Sequence, residues 1–202
     1  MANWIIVKKK LKKFNKTISV NGDKSISIRW VLLASLANGV STAKNLLMSE
    51  DVEAAIKAIK KLGIKVNIKN KICKIYGSGL NGYKYKKNLT IDAQNSGTLG
   101  RLLLGLLVDT RFPIKIIGDK SLSKRDFSRV TEPLKKFGVK IQSNKKLLPV
   151  KIFGSKDLKS QYYVEKKGSA QCKSSIMFAA LKTPGLTKIK AKKSRDHSER
   201  MF

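Results

Sequence analysis

Three short segments of the 202-residue chain pair small or hydroxylated residues with a nearby cation: Gly22-Asp-Lys-Ser25, Asn95-Ser-Gly-Thr98 and Gly168-Ser-Ala-Gln171. Each leads into an apolar run, at Val31, Leu102 and Ile176, of the kind that forms a buried helix. A helix N-terminus leaves backbone N–H groups without intrahelical partners and carries a positive partial charge, so it is suited to hold an anion such as phosphate. Taken singly, each start reads as simple N-capping, by Ser25, Thr98 and Ser169. Three matched starts, with Lys24, Arg29, Arg101 and Lys173 beside them, favour a phosphate-binding surface.

Other chemistries are poorly supplied. Gly22-Asp-Lys-Ser25 resembles the end of a nucleotide-binding P-loop, but Thr17 stands where its first glycine belongs and Asp23 separates Gly22 from Lys24. The one histidine, His197, allows no Ser-His-Asp triad and reads as a helix-start or packing residue. Cys73 and Cys172 are far apart in sequence, inside apolar runs, and form no C-x-x-C pair, so they read as buried free thiols rather than zinc ligands.

The elements that place these residues recur. Val31–Gly39 leads through Ser41–Asn45 to Ser49–Glu53 and ends at Leu62–Val66. Leu102–Val108 leads through Ile114–Ile117 and Ser123–Phe127 to Phe137–Ile141. A third copy begins at Ile176–Leu181, passes Leu186–Ile189 and reaches Ser194–Met201. Each copy reads as a buried helix, a strand, an amphipathic helix and then short strands. Val52, Ala55, Ile56, Ile59 and Leu62 form the first amphipathic stripe, stopped by Gly63. Phe127, Val130, Leu134 and Phe137 form the second, stopped by Gly138, with Pro133 expected to kink or restart that helix. Strands are predicted over Ile64–Ile68, Ile72–Tyr76, Leu89–Asp92, Ile141–Gln142 and Val150–Phe153, with turns over Gly77–Tyr83 and Ser143–Lys146.

Composition bounds the partners. The net charge is +31, yet only seven of the 44 basic residues are arginine. Lysine pairs such as Lys60–Lys61, Lys86–Lys87 and Lys135–Lys136 scatter over every expected surface, which argues against a nucleic-acid reader built on arginine forks and stacking aromatics. No apolar stretch approaches the roughly 20 residues of a membrane span. Met1–Val7 is followed by lysines, the reverse of a signal peptide, so the chain reads as cytoplasmic.

Six motifs, in order, resemble those of the enolpyruvylshikimate-phosphate synthases. Gly22-Asp-Lys-Ser-Ile-Ser-Ile-Arg29 is similar to their G-D-K-S-[IV]-[ST]-[HN]-R opening, and Asn95-Ser-Gly-Thr-Leu-Gly-Arg101 to N-[AS]-G-T-x-x-R. Gly118–Arg125 resembles G-D-x-S-L-x-x-R, and Leu148-Pro-Val-Lys-Ile an L-P-L-x-I strand. Ser169–Ser174 and Ser194–Met201 resemble S-A-Q-[VC]-K-S and S-R-D-H-[ST]-E-[KR]-M. The resemblance implies an α/β (α+β) fold of repeated βαβαββ units with buried parallel helices, the third unit incomplete. It implies transfer of the enolpyruvyl group of phosphoenolpyruvate to the 5-hydroxyl of shikimate 3-phosphate, with no cofactor and no metal.

Roles follow from the same resemblance. Lys24 would bridge the phosphoenolpyruvate phosphate and the reacting hydroxyl, and Arg125 would clamp that substrate's anionic groups. Ser25, Arg29, Ser169, Gln171 and Arg195 would hold shikimate 3-phosphate, Gly97 would let the backbone approach phosphoenolpyruvate, and Asn95 and Ala170 would be further substrate-binding residues. Glyphosate would compete there. Ile28 and Asp126 depart from the family pattern, which has His or Asn at the first place and commonly proline at the second. The family is about twice this length, with its acid–base carboxylates in the other half. Residues 1–20 are accordingly expected to pack on that second domain and 21–202 to form the first, binding weakly and not turning over alone; the full-length protein would be a monomer. The alternatives are a relative of the UDP-N-acetylglucosamine enolpyruvyl transferases, whose cysteine loop has no counterpart here, and a basic module for RNA or other polyanions.

Overall fold

A computed structural model describes residues 17, 18 and 20–202; the expected inter-domain segment 1–20 therefore lies almost wholly outside the described residues. The second repeat is complete. It runs β4 (Thr90–Asp92), α3 (Gly97–Leu106), β5 (Ile114–Ile117), a 3-10 turn (Leu122–Lys124), α4 (Ser128–Lys136), β6 (Lys140–Asn144) and β7 (Leu147–Phe153). Its sheet has the order β4-β5-β7-β6, with β4 and β5 parallel and the other neighbours antiparallel. The first repeat gives α1 (Lys24–Leu36), β1 (Asn38–Lys44), α2 (Glu50–Lys61), β2 (Lys65–Lys69) and β3 (Ile72–Ser78), in an antiparallel sheet ordered β1-β3-β2. The third gives β8 (Tyr162–Glu165), α5 (Ala170–Ala180) and β9 (Lys188–Ala191), with β8 parallel to β9. The fold is the mixed α/β architecture of repeated units that the motifs imply.

The helices divide as the patterns predict. Among them α1, α3 and α5 are buried on most sides, through Ile28, Val31 and Leu32, through Leu99, Leu102, Leu103 and Leu106, and through Cys172, Ile176 and Phe178. Each such side chain removed from water stabilises the fold by about 2 kcal/mol before ordering costs. By contrast α2 and α4 bury one face each, ending at left-handed Gly63 and Gly138 (φ 89° and 92°). Helix α4 runs through Pro133 to Lys136 rather than restarting there. Cys73 and Cys172 are buried and free, as expected.

Strand β3 runs on to Ser78, into the expected turn, and three further elements differ from expectation. Strand β6 extends to Asn144, so the turn is confined to Lys145 and Lys146, both at positive φ. Strand β8 was not marked by any clear alternation. Where the repeat predicts a helix in the third copy, Ser194–Met201 forms a turn in which the Arg200 amide donates to the Asp196 carbonyl.

The three buried helices run in one direction, as side-chain contacts at both ends show. At their starts Gln171 of α5 donates to Thr98 of α3, and Arg29 of α1 donates to Ser174 of α5. Beyond their ends the Lys182 ammonium donates to Asp109 at 2.6 Å and to the Leu80 carbonyl, and lies over the Tyr83 ring, whose hydroxyl meets Ser35 of α1 at 2.7 Å. Burial pulls the Lys182 ammonium below its usual value, opposed by the Asp109 charge. A cation at this pole faces the negative ends of the helices.

Helices α3 and α5 pack closely because Gly105 has no side chain: a Cβ there would lie 1.9 Å from the Ser175 carbonyl oxygen. The Ser175 hydroxyl closes the contact by donating to the Arg101 carbonyl at 2.8 Å. In the third sheet β9 pairs with β8 alone among the described residues, whereas its counterpart β5 has a neighbour on each side. The Gly105→Ala variant is expected to lose about 3 kcal/mol of stability through forced separation of α3 and α5, measured as a shift of the urea unfolding midpoint; an unchanged midpoint would mean that the helices do not meet there.

Candidate functional site

Each buried helix begins with a side-chain cap, but not always the expected one. Asp23 caps α1 by accepting from the Ile26 amide at 2.7 Å, and Ser96 caps α3 by accepting from Leu99 at 3.3 Å. Only Ser169, which accepts from Cys172, is the cap that was expected. Ser25 and Thr98 instead lie one residue inside their helices. Their hydroxyls are thereby free for other partners, while the caps take the Ile26 and Leu99 amides and leave the earlier amides of each first turn to an anion.

One cluster forms around Gly97. A Cβ on this residue would sit 2.8 Å from Nη1 of Arg101 and 3.2 Å from Nη1 of Arg125. Arg101 donates to Oε1 of Gln171 at 3.1 Å, to the Gly97 carbonyl and to the Asp126 carbonyl, and its guanidinium stacks on the Phe127 ring. Gln171 in turn donates to Thr98. Arg125 is exposed and donates to Asn95 at 3.1 Å. Asn95, Gly97, Arg125 and Gln171 are thus brought together, with Arg101 as the bridge. Burial and the neighbouring Arg125 and Arg129 charges depress the Arg101 guanidinium, while Cys172 and Asp126 favour its charge. Such a pair of cations over a side-chain-free backbone can seat a phosphate or carboxylate.

A second cluster lies where α1 meets α5. Arg195 reaches the Ser25 hydroxyl at 3.4 Å. Arg29 is buried, donating to Ser198 at 2.9 Å, to Ser174 at 3.0 Å and to the Ser25 carbonyl. Burial, and then repulsion from Arg195, lower its value. In this arrangement Arg29 braces the cluster rather than facing solvent. Lys173 pairs with Glu199 and reaches the Arg195 carbonyl, which fixes the turn that carries Arg195. Ser169 and Ala170 stand between the two clusters at the start of α5. Lys24 shares no contact with Arg125; its half-exposed ammonium is held by Asp51 at 2.8 Å, in the first turn of α2.

The two departures from the family pattern also find places. Ile28 is fully buried in the core. The Asp126 carboxylate accepts from the Ser128 amide at 2.6 Å; hydrogen bonds from Ser128 and the nearby Lys146 and Arg101 charges hold it below the usual carboxylate range. His197, expected to start a helix or to pack, sits half-buried in a turn with Nδ1 unpartnered among the described residues.

Behind the start of α5 lies a group that the sequence reading missed. The buried Glu165 carboxylate accepts from Arg129 at 2.7 Å, from the Lys167 amide at 2.9 Å and from the Tyr163 hydroxyl at 2.7 Å. Burial pushes this carboxyl up, but those three donors and the Arg129 charge outweigh it and hold it below the ordinary glutamate range.

Two measurements test these placements. The Gly97→Ala variant is expected to weaken inorganic phosphate binding roughly tenfold by displacing two guanidiniums, while stability changes by no more than about 1 kcal/mol; calorimetric titration showing unaltered affinity would detach Arg101 and Arg125 from anion binding. A depressed carboxyl stabilises the fold above its unfolded value and loses that effect as pH falls through its folded value. The stability gap between wild type and Glu165→Gln should therefore be constant above about pH 5 and shrink below about pH 4. A gap that widens in acid would contradict the network.

Known proteins resemble the chain over most of its length. The family model for EPSP synthase (3-phosphoshikimate 1-carboxyvinyltransferase) matches residues 8–202. The 3-phosphoshikimate 1-carboxyvinyltransferase of Streptococcus thermophilus is 41% identical over 189 residues, which are 92% of this chain and 44% of that protein. The protein of that name from Ruthia magnifica is 44% identical over 187 residues, covering 92% and 42%. Among solved structures, EPSP synthase from Acinetobacter baumannii superposes with a TM-score of 0.86 at 37% identity, over 91% of this chain and 42% of that one. The chain thus spans less than half the length of the relatives it matches, and it belongs to the EPSP synthase (3-phosphoshikimate 1-carboxyvinyltransferase) family.

Proposed function

We propose that this chain supplies one face of an enolpyruvyl transferase site, binding shikimate 3-phosphate and phosphoenolpyruvate for transfer of the enolpyruvyl group to the 5-hydroxyl. The observation that carries the reading is Gly97, over whose bare backbone the Arg101 and Arg125 guanidiniums converge so closely that a Cβ would push the Arg101 guanidinium aside. On this reading the Gly97 cluster takes phosphoenolpyruvate, and glyphosate competes with it there. Ser25, Ser169, Ala170, Gln171 and Arg195 take shikimate 3-phosphate, with Arg29 holding their frame from behind.

The chemistry asks the face to bring two polyanions together. Addition joins the hydroxyl oxygen to C2 of phosphoenolpyruvate as a proton enters C3 and the hydroxyl proton leaves; elimination then breaks the C2–phosphate bond and removes a proton from C3. Fixed cations and helix N-termini stabilise the substrate anions and the departing phosphate without reorganising. Lys24 is the mobile element. It must leave Asp51 to reach a phosphate, and its half-exposed side chain allows that movement. The acid–base groups of the reaction are proposed to come from a second domain, which faces this one across the substrates.

The reading is tested by titrating the chain with shikimate 3-phosphate and following backbone amide shifts. Saturable shifts are expected at Ser25, Ser169–Gln171 and Arg195, weakened about tenfold or more by Arg195→Ala. Binding of RNA that is strongly salt-dependent and not displaced by shikimate 3-phosphate would overturn it in favour of a polyanion-binding module.

A further inference from the structure

The start of α5 carries residues of both clusters, so its placement decides whether they can act together. Two cross-links hold it. One is Arg101, which joins Gln171 to the Asp126 carbonyl just ahead of α4. The other lies on the far side of the same helix start, where Arg129 of α4 meets Glu165 at the end of β8. Together they close a ring: Gln171, Arg101, Asp126, the first turn of α4, Arg129, Glu165, the turn at 166–168, and back to Ser169.

Glu165 is well placed to set that ring. Its carboxylate is almost wholly buried, and one oxygen takes both Arg129 and the Lys167 amide while the other takes Tyr163. The Lys167 bond shapes the turn that delivers Ser169. Gly168 follows at φ 66°, where a Cβ would lie 3.1 Å from the Lys193 carbonyl. The Glu165 carbonyl also accepts from the Lys192 amide, at the approach to Arg195. A single residue therefore ties α4, the start of α5 and the strand leading to Arg195.

We propose that Glu165 is a positioning residue for the anion site: with Arg129 it fixes the start of α5 so that Gln171 meets Arg101 while Ser169 and Arg195 face the neighbouring cluster. It touches no substrate. Its effect reaches a ligand through Gln171, Ser169 and Arg195, and the choice of shikimate 3-phosphate as that ligand rests on the function proposed above. A misplacement on the order of an ångström at such a site weakens recognition by one to two powers of ten.

The test uses the ¹⁵N-labelled chain as wild type, Glu165→Ala, Glu165→Gln and, as a control of buried charge at the opposite pole, Lys182→Met. In ligand-free protein, Glu165→Ala is expected to move the Gln171 side-chain amide signal and speed exchange of the Lys167–Cys172 amides about tenfold or more, changes that Lys182→Met does not produce. Affinity for shikimate 3-phosphate should fall roughly tenfold in Glu165→Ala and less in Glu165→Gln, whose one amide oxygen can still accept from Lys167 while its amide nitrogen donates to the Tyr163 hydroxyl. An unmoved Gln171 signal with unchanged exchange overturns the positioning role whatever the ligand proves to be. Equal loss of affinity in Lys182→Met also overturns it, by reducing Glu165 to general stability. Should wild type bind no shikimate 3-phosphate while the Gln171 signal still moves, the functional reading fails and the positioning of α5 stands. If Glu165→Ala does not fold, the Gln171 signal and exchange rates of Glu165→Gln decide the question.

Discussion

The close contact of α3 with α5 sets the geometry on which the site depends. With no side chain at Gly105, the two backbones approach until the Ser175 hydroxyl can bond the Arg101 carbonyl. That depth brings Gln171 alongside Thr98 and within reach of Arg101. Interiors are packed too densely to absorb a larger residue at such a point without moving one helix. The hydrogen bonds at the helix starts are therefore consequences of packing several residues further along, and the cluster around Gly97 is anchored in the apolar core.

Charge is arranged within that frame rather than added to it. Arginine takes the positions that brace: Arg29 among three oxygens, Arg101 across two helices and a loop, and Arg129 on Glu165. A planar guanidinium with fixed donor directions suits such multiple anchoring, whereas a lysine ammonium on a flexible stem suits movement. Lys24, by contrast, is held by a partly exposed carboxylate, Asp51. The seven arginines of the chain, counted against its many lysines, were thus a better guide to the site than the net charge of +31.

Much of this was legible in the sequence because the informative signals are local. The helix starts, the two glycine stops and the amphipathic stripes of α2 and α4 are each written in adjacent residues, and the structure places them within a residue or two. The caps of α1 and α3 were misread because Asp23 and Ser25, or Ser96 and Thr98, are equally good cap residues, and only the backbone shows which one stands outside the helix. Arg29 was read as facing a ligand. Its partners Ser174 and Ser198 are 145 and 169 residues away, so nothing near it in the chain announces its burial. Glu165 was invisible for a related reason: in Tyr-Tyr-Val-Glu-Lys-Lys-Gly it looks like one more solvated charge, and its role depends on Arg129 arriving from another unit.

Among the described residues β9 pairs on one side only, which bears on how its edge meets other strands. A strand with an open edge is a template for any other strand, and two such edges brought together would extend into a shared sheet. On β9, Lys188 and Lys190 alternate with apolar residues, so two copies aligned edge to edge would set ammonium groups against one another. A strand bearing neutral or acidic side chains meets no such repulsion. Lysine at these places thus disfavours pairing of this edge with the same edge of another copy.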